Sequence, residues 1–281
     1  MKISFIIVIY NSENVLFDCL DSIQRFESEN DIEVILIDNH QDSKFNIKSL
    51  DNYTFKLNYY KSPRNGGFGY GNNIGVEKSN NEILFFLNPD TILTCCISKD
   101  TIEIFKNNNK KYLLAYRLID KNHRSNNTIG VFPQINIILN LLIKFLFNLN
   151  PVFINHTFLN NFIWPWGAAF SIERDQFVNS GGFDENIFLC NEEADLSIRF
   201  KERKVKILNL PIIHLEGHTT QVSVERHVEY LKSTFYYLNK HNFSKLKFIQ
   251  NFHILFHLKK RLNLLDSDMI NKHEALKSFL K

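Results

Sequence analysis

Along the first hundred residues, continuous apolar runs alternate with segments of helical period. Residues 3–10 (ISFIIVIY) are apolar and β-branched throughout, as a strand buried on both faces requires. After them Val15, Leu16, Cys19, Leu20 and Ile23 fall on one face at helical spacing, with Ser12 placed to cap the helix. Residues 33–39 (EVILIDN), 55–62 (FKLNYYKS) and 82–91 (EILFFLNPDT) predict three more strands, the last stopping at Asn88-Pro89-Asp90. Between the third and fourth lies a glycine- and asparagine-rich loop, NGGFGYGNNIG (residues 65–75), running into a helix near residues 72–79. Strands alternating with helices predict an α/β fold on a mainly parallel sheet. Ligands of such sheets bind at the carboxyl ends of the strands. Tyr10-Asn11, Asp38-Asn39, Asn65-Gly66 and Asn88–Asp90 all fall at such ends.

The pattern then changes. Residues 135–154 (INIILNLLIKFLFNLNPVFI) are apolar but interrupted by Asn and Lys. Residues 164–177 predict a strand and a helix start, residues 181–203 a turn, a loop and a helix, and residues 206–218 a strand ending near His214 and His218. From residue 225 onward the chain reads as helices with basic clusters. No internal repeat and no linker interrupts it.

With 281 residues the chain is long enough for one large or two modest domains. A net charge of +3 gives no case for a nucleic-acid partner. The four cysteines form no CxxC pair, which suggests neither a zinc site nor a disulfide framework and fits a reducing cytosol. The N-terminal apolar run is short and lacks a small-residue cleavage site, so it reads as a strand and not a signal peptide. No stretch reaches the roughly 18 apolar residues of a membrane-spanning helix.

Several positions carry candidate chemistry. Gly69, Gly71 and Gly75 invite a dinucleotide reading, but that fingerprint follows the first strand and this loop follows the third. A glycine-rich approach to a helix and a nucleotide or sugar pocket both remain open. Asp90, at the tip of a buried strand, suits a divalent cation held through oxygen, with a diphosphate supplying further ligands; a plain Pro-Asp turn is the alternative. Glu192, Glu193 and Asp195 open a helix, where its dipole favours acids. Asp195 and Arg199 are spaced to pair, which leaves Glu193 without an obvious basic partner and available to accept a proton. Trp164 and Trp166 alternate in a strand and face opposite sides; one reads as core, and for the other, stacking on a sugar ring and a plain structural role both remain open.

Taken in order, FIIVIYNSENVLFDCLDSI, ILIDN, NGGFGYGNNIG, ILFFLNPDT, WGAAFSIERDQFVNSGGFDENIFLCNEEADLSIRFK and IIHLEGH resemble the motifs of family 2 glycosyltransferases with the GT-A fold. The similarity covers residues 1 to about 240 and is greatest to the bacterial rhamnosyltransferase-like branch that builds O-antigen and other surface polysaccharides. It implies a Rossmann-like, mainly parallel mixed sheet flanked by helices. A GT-A domain over residues 1–224 divides into a nucleotide-binding half (1–100) and an acceptor and catalytic half (101–224), followed by a helical C-terminal extension (225–281).

The resemblance also implies roles. Tyr10, Asn11, Asp38 and Asn39 correspond to nucleobase and ribose contacts. Asn65, Gly67 and Asn73 correspond to the loop that closes on the nucleotide-sugar. Asn88-Pro89-Asp90 stands where the family carries its DxD-type metal motif. Asn88 replaces the first carboxylate, so Asp90 takes the metal, Mg²⁺ or Mn²⁺, with His214 completing its coordination. Trp166 and Gly167 fall to the acceptor or sugar. Glu193 stands where the family has the Asp of its ED motif; it becomes the base of an inverting transfer, with Glu192 or Asp195 as substitutes. The implied donor is dTDP-L-rhamnose, and the implied acceptor a lipid-linked glycan at the cytoplasmic side of the inner membrane. A UDP-hexose or furanose donor, a sugar nucleotidyltransferase and a non-catalytic nucleotide-sugar binder are the rivals. Residues 135–153 and 252–265 are expected either to rest on the membrane or to be buried in the core or a homodimer interface.

Overall fold

A computed structural model describes residues 1–27, 31–43, 45–107, 111–149, 155, 158–201, 204–215 and 224–280. The apolar runs pair as the sequence predicts. β1 (Ile3–Ile9) lies between β2 (Ile32–Asp38) and β4 (Ile83–Leu87), parallel to both, and β3 (Lys56–Lys61) extends the sheet parallel to β2. Beyond β4 come β9 (Ala169–Glu173), antiparallel to its two neighbours, β6 (Leu113–Ile119), β10 (Val205–His214), parallel to β6, and the short antiparallel β5 (Thr91–Leu93). The eight-stranded sheet is thus mixed, in the order β3-β2-β1-β4-β9-β6-β10-β5. β7 (Ile129–Val131) and β8 (Ile163–Pro165) form a separate ribbon.

The nine helices among the described residues are α1 (Glu13–Glu27), α2 (Gly67–Lys78), α3 (Ser98–Asn107), α4 (Ile137–Leu149), α5 (Arg174–Asn179), α6 (Glu192–Arg199), α7 (Val224–Lys240), α8 (Lys245–Arg261) and α9 (Ser267–Phe279). Alternation along β1 shows why its residues are apolar on both sides. Ile3, Phe5, Ile7 and Ile9 pack with Leu16, Cys19, Leu20 and Ile23 of α1, while Ile6 packs on the opposite face with Val76 of α2, Phe86 and Phe170. A third cluster joins Phe132, Trp164 and Ala194 to Leu231, Phe235, Leu238, Phe248 and Leu276, so the C-terminal helices share a core with α6.

Two local expectations are corrected. Ser12 does not cap α1 with its hydroxyl. Its carbonyl accepts the first helical N–H groups, from Val15 and Leu16, but its Oγ accepts the N–H of Tyr10 and donates to that residue's carbonyl. The glycine-rich segment is not a loop leading to a helix near residue 72, because α2 begins at Gly67. Glycine in a helix interior costs about 1 kcal/mol relative to alanine, which argued for a loop. Packing overrides that cost: a Cβ on Gly71 would stand 2.7 Å from Cγ1 of Val8, one on Gly69 3.0 Å from Cβ of Phe183, and one on Gly75 would clash with Ile6. The glycines let α2 lie directly on the sheet.

Candidate active site

Because β1, β2, β3 and β4 are parallel, their carboxyl ends meet along one edge. The antiparallel β9 brings its starting end there too, where the N–H of Asn88 donates to the carbonyl of Ala168 at 2.9 Å. β10 ends at the same edge, His214 opposite Thr91, and the N–H of Leu215 donates to the carbonyl of Asp90 at 2.9 Å. Topology therefore gathers segments distant in sequence: the ends of β1 and β2, the Asn88–Asp90 turn, Gly167 and His214.

At the nucleotide side, Tyr10 and Asn11 are exposed at the end of β1, and Tyr10 meets His40 edge-on at 5.1 Å between ring centres. Asp38 is buried and engaged: one oxygen accepts the N–H of His40 at 2.9 Å, the other the Tyr59 hydroxyl at 2.7 Å and the Lys61 ammonium at 3.3 Å. Burial beside that carboxylate pushes the Tyr59 phenol well above its ordinary value. Asn39, also buried, donates from Nδ2 to the carbonyl of Gly67, and its Oδ1 has no hydrogen-bond partner among the described residues. Asn65 is exposed, and its Oδ1 accepts the N–H of Gly67. Gly67 has φ +86°, and a Cβ there would collide with the backbone of Phe188, so only glycine suits the turn into α2.

Asn73 departs from its expected role. Its Nδ2 donates to the carbonyl of Phe183 and to Oε1 of Glu185, while its Oδ1 accepts the N–H of Phe183. Both ends of the amide are used to clamp the segment before α6, instead of being turned toward a nucleotide-sugar.

Asp90 is buried at the turn after β4, its Oδ1 3.4 Å from Nε2 of His214. That oxygen makes no hydrogen bond among the described residues. A buried carboxylate oxygen is costly to leave unsatisfied, and one facing an imidazole nitrogen is a ready half-set of cation ligands. Among the described residues no cluster of three or more His, Cys, Asp or Glu could hold a metal. Two protein ligands are what a cation shared with a diphosphate uses, since the phosphate oxygens and water fill the remaining positions. His218 lies outside the described residues.

The second acidic group stands at the start of α6. Two residues in left-handed conformation, Cys190 at φ 68° and Asn191 at φ 70°, turn the chain sharply into the helix, and Nδ2 of Asn191 is held by Oγ1 of Thr234 at 3.0 Å. Such conformations cost roughly 1–2 kcal/mol each and persist where the surroundings impose them. The turn delivers Glu193, half-buried, against Gly167: a Cβ at 167 would lie 2.9 Å from the Glu193 carboxyl carbon and overlap Oε1. Glu192 is 1% exposed, and its Oε1 has no hydrogen-bond partner among the described residues. The two carboxyl groups lie close enough to affect each other's ionisation. Burial holds Glu192 well above the usual carboxylate range, the neighbouring Glu193 charge adding to it, and burial pushes Glu193 up to about 7. The pair keeps at least one proton at neutral pH.

Asp195, the other fallback base, is excluded by its partners. It is fully buried, with Oδ2 2.6 Å from Arg199 and Oδ1 2.7 Å from Lys240 and 2.8 Å from His241. Arg199 also donates to the carbonyls of Ser180 and Gly182, and Lys240 reaches Asp184 at 2.6 Å. Both oxygens of the carboxylate are occupied by basic side chains; it anchors α6 to α7 and to the segment after α5. The pairing of Asp195 with Arg199 was legible from their spacing, whereas Lys240 and His241 carry no local signal. Trp164 packs on Phe132 in the core, but β8 ends at Pro165, so Trp166 lies beyond the strand, half-buried against a different core cluster, and the two do not alternate in one strand as expected.

Comparison with known proteins identifies the family and the fold. The pattern described as Glycosyl transferase family 2 matches residues 4–158. The rhamnosyltransferase WbbL of Escherichia coli (strain K12) is 25% identical over 190 residues, covering 61% of this chain and 70% of that protein. S. aureus TarS 1–349 in complex with UDP aligns over 99% of this chain and 91% of that one, at TM-score 0.55 and 15% identity; against a longer TarS structure this chain spans 42% of the length. The mannosyltransferase PcManGT from Pyrobaculum calidifontis, in complex with GDP-Man and Mn²⁺, aligns over 98% of this chain and 74% of that one, at TM-score 0.56 and 11% identity. These structures share the fold, which is GT-A. With more than half the chain matched by the family pattern, the chain belongs to glycosyl transferase family 2.

Proposed function

We propose that this protein is an inverting, metal-dependent glycosyltransferase that moves L-rhamnose from dTDP-L-rhamnose to a hydroxyl of a lipid-linked glycan in cell-surface polysaccharide synthesis. The observation that carries the reaction type is the placement of two acidic groups at one sheet edge: Asp90 beside His214, and Glu193 against Gly167. The sequence similarity to WbbL supports the rhamnosyl reading.

Glu193 is the base. With an ionisation near neutrality it takes up the acceptor proton without being locked as a permanent anion. As the acceptor oxygen forms its bond to the anomeric carbon, the bond from that carbon to the diphosphate breaks on the opposite face, and the nucleoside diphosphate departs with the bonding pair. Glu192, held protonated by its burial, adds no second negative charge beside the base. Asp90 and His214 would hold Mg²⁺ or Mn²⁺, which when bound would supply positive charge toward the leaving diphosphate. Exposed Tyr10 and Asn11 border the nucleoside, and Trp166 offers an apolar face to the sugar or acceptor.

The test is Glu193→Gln, assayed with a panel of dTDP-, UDP- and GDP-sugars. Transfer falls at least about 100-fold while nucleoside-diphosphate binding is kept, and dTDP-rhamnose leads the panel. Near-normal turnover would move the base elsewhere; preference for a UDP-sugar would replace the donor.

A further inference from the structure

The turn that delivers Glu193 is tied to a helix far away in the chain. Asn191 stands just before α6, where an asparagine ordinarily accepts a first-turn N–H through its side chain. Among the described residues it makes no such bond. Its backbone is left-handed, and its amide turns instead to α7, where Nδ2 donates to Oγ1 of Thr234 at 3.0 Å. Both residues are buried, Asn191 at 6% exposure and Thr234 at 0%.

The direction of this bond is fixed. The Thr234 hydroxyl donates its one proton to the carbonyl of Tyr230 at 2.7 Å, one turn back along α7. Toward Asn191 its oxygen can therefore only accept, and only the nitrogen end of the amide satisfies it. Thr234 thus selects one orientation of one side chain, and with it the conformation of the turn. Cys190 and Asn191 are consecutive non-glycine residues at φ 68° and 70°, and such a pair persists only where its neighbours impose it. The carbonyl of Asn191 accepts the N–H of Asp195 at 2.9 Å, closing the first turn of α6 around Glu193.

α7 also holds α6 in a second, separate way. Ala194 and Ile198 share a core with Leu231, Phe235 and Leu238, and Asp195 pairs with Lys240 and His241. Those contacts hold the body of α6, beyond the entry turn. Removing the Thr234 hydroxyl leaves them in place, so its effect falls on residues 190–193 and not on the fold. The tolerance there is small, because the Glu193 carboxyl group fills the space against Gly167.

We propose that Thr234 of α7 is a positioning residue for the transfer reaction: through Asn191 it sets the entry turn of α6 and so the place of the Glu193 carboxyl group. The proposal rests on the reading of Glu193 as the base. It makes a helix of the C-terminal extension part of what aligns the reaction, through a side chain that is itself fully buried and acts only by way of another.

Thr234→Val keeps the shape of the side chain and removes the hydroxyl; Thr234→Ser keeps the hydroxyl. Both are compared with the parent as full-length proteins, well below the thermal midpoint, using the nucleotide sugar that leads the donor panel. Thr234→Val is expected to lower kcat at least about ten-fold with the Kd for the matching nucleoside diphosphate unchanged, while Thr234→Ser stays within about three-fold of the parent. In the Glu193→Gln background Thr234→Val should cost less than about two-fold, because a residue that acts through Glu193 has nothing left to position. Asn191→Gly suits the left-handed turn but lacks the tether; it should repeat the loss, and it carries the test if Thr234→Val does not fold. Parent-like turnover of Thr234→Val or Asn191→Gly, a loss that Thr234→Ser shares, or the same loss with and without the Glu193 carboxylate would overturn the proposal. Normal turnover of Glu193→Gln would remove the base instead, and the position of Glu193 is then read by carboxyl-carbon NMR of labelled protein. Burial pushes this carboxyl up to about 7. A titration that moves back toward the ordinary carboxylate value in Thr234→Val and not in Thr234→Ser supports the tether; one that stays in place in both overturns it.

Discussion

Replacing Gly167 by Ala tests the assignment of Glu193 without touching its chemistry. Gly167 does not have a positive φ, so alanine adopts its backbone without strain. The added Cβ lies 2.9 Å from the carboxyl carbon of Glu193 and overlaps Oε1. Carbon atoms in contact stand about 3.5–4.0 Å apart, so the carboxyl group is driven back by about 1 Å. It is the far end of a flexible side chain, so the displacement falls on the carboxylate and not on the fold. A base misplaced by about 1 Å lowers the chemical step roughly 100-fold, equivalent to about 2.7 kcal/mol of transition-state stabilisation. The expected result is a loss of that order in kcat. The thermal midpoint and the Kd for nucleoside diphosphate, measured by calorimetry, should stay unchanged. Adding Glu193→Asp shortens the arm by one methylene, clears the new methyl group and restores part of the lost rate. If Gly167→Ala turns over within a few-fold of the parent protein, the geometric reasoning fails and Glu193 is not the base.

Three other outcomes follow from the same edge of the sheet. Burial keeps the Glu192 carboxyl protonated in the fold above pH 4.5, where the unfolded chain releases the proton. Its stability contribution is therefore complete below that pH and lost as pH rises, so Glu192→Gln should match the parent midpoint at pH 4 and exceed it at pH 8. Asp195→Ala leaves Arg199 and Lys240 without their buried partner and should cost about 3 kcal/mol by urea denaturation; the low end of the range applies because both cations retain contact with water. Asp90→Asn should abolish the Mn²⁺-dependent increase in nucleoside-diphosphate affinity, which chelation also removes from the parent; an unchanged increase would place the cation elsewhere.

Strand identity was legible because β1, β2 and β4 are buried on both faces, and a strand so placed must be apolar without interruption. The convergence of Asn11, Asp38 and Asp90 at strand ends followed from parallel pairing alone. α2 was misread in its first turns because glycine weakens a helix, and only contact with Val8, Ile6 and Phe183 shows why glycine is required there. β5, with three residues, is too short to carry a periodic signal. The pairing of Asp195 with Arg199 could be read from helical spacing, but its bonds to Lys240 and His241 span a separation over which local patterning carries no information.

Sequence alone determined the strand–helix alternation of the first ninety residues, the family motifs and the residue types available at the sheet edge, because these depend on periodicity and chain order. Tertiary structure decided which of those residues are open to chemistry. Asn73 and Asp195 are consumed by packing partners, the carboxyl groups of Glu192 and Glu193 are both held above their ordinary range, by burial first, where the left-handed turn at Cys190 and Asn191 leads into α6, and Asp90 meets His214 only because β10 ends beside β5. Burial and proximity arise from contacts between residues distant in the chain, and a linear pattern does not contain them.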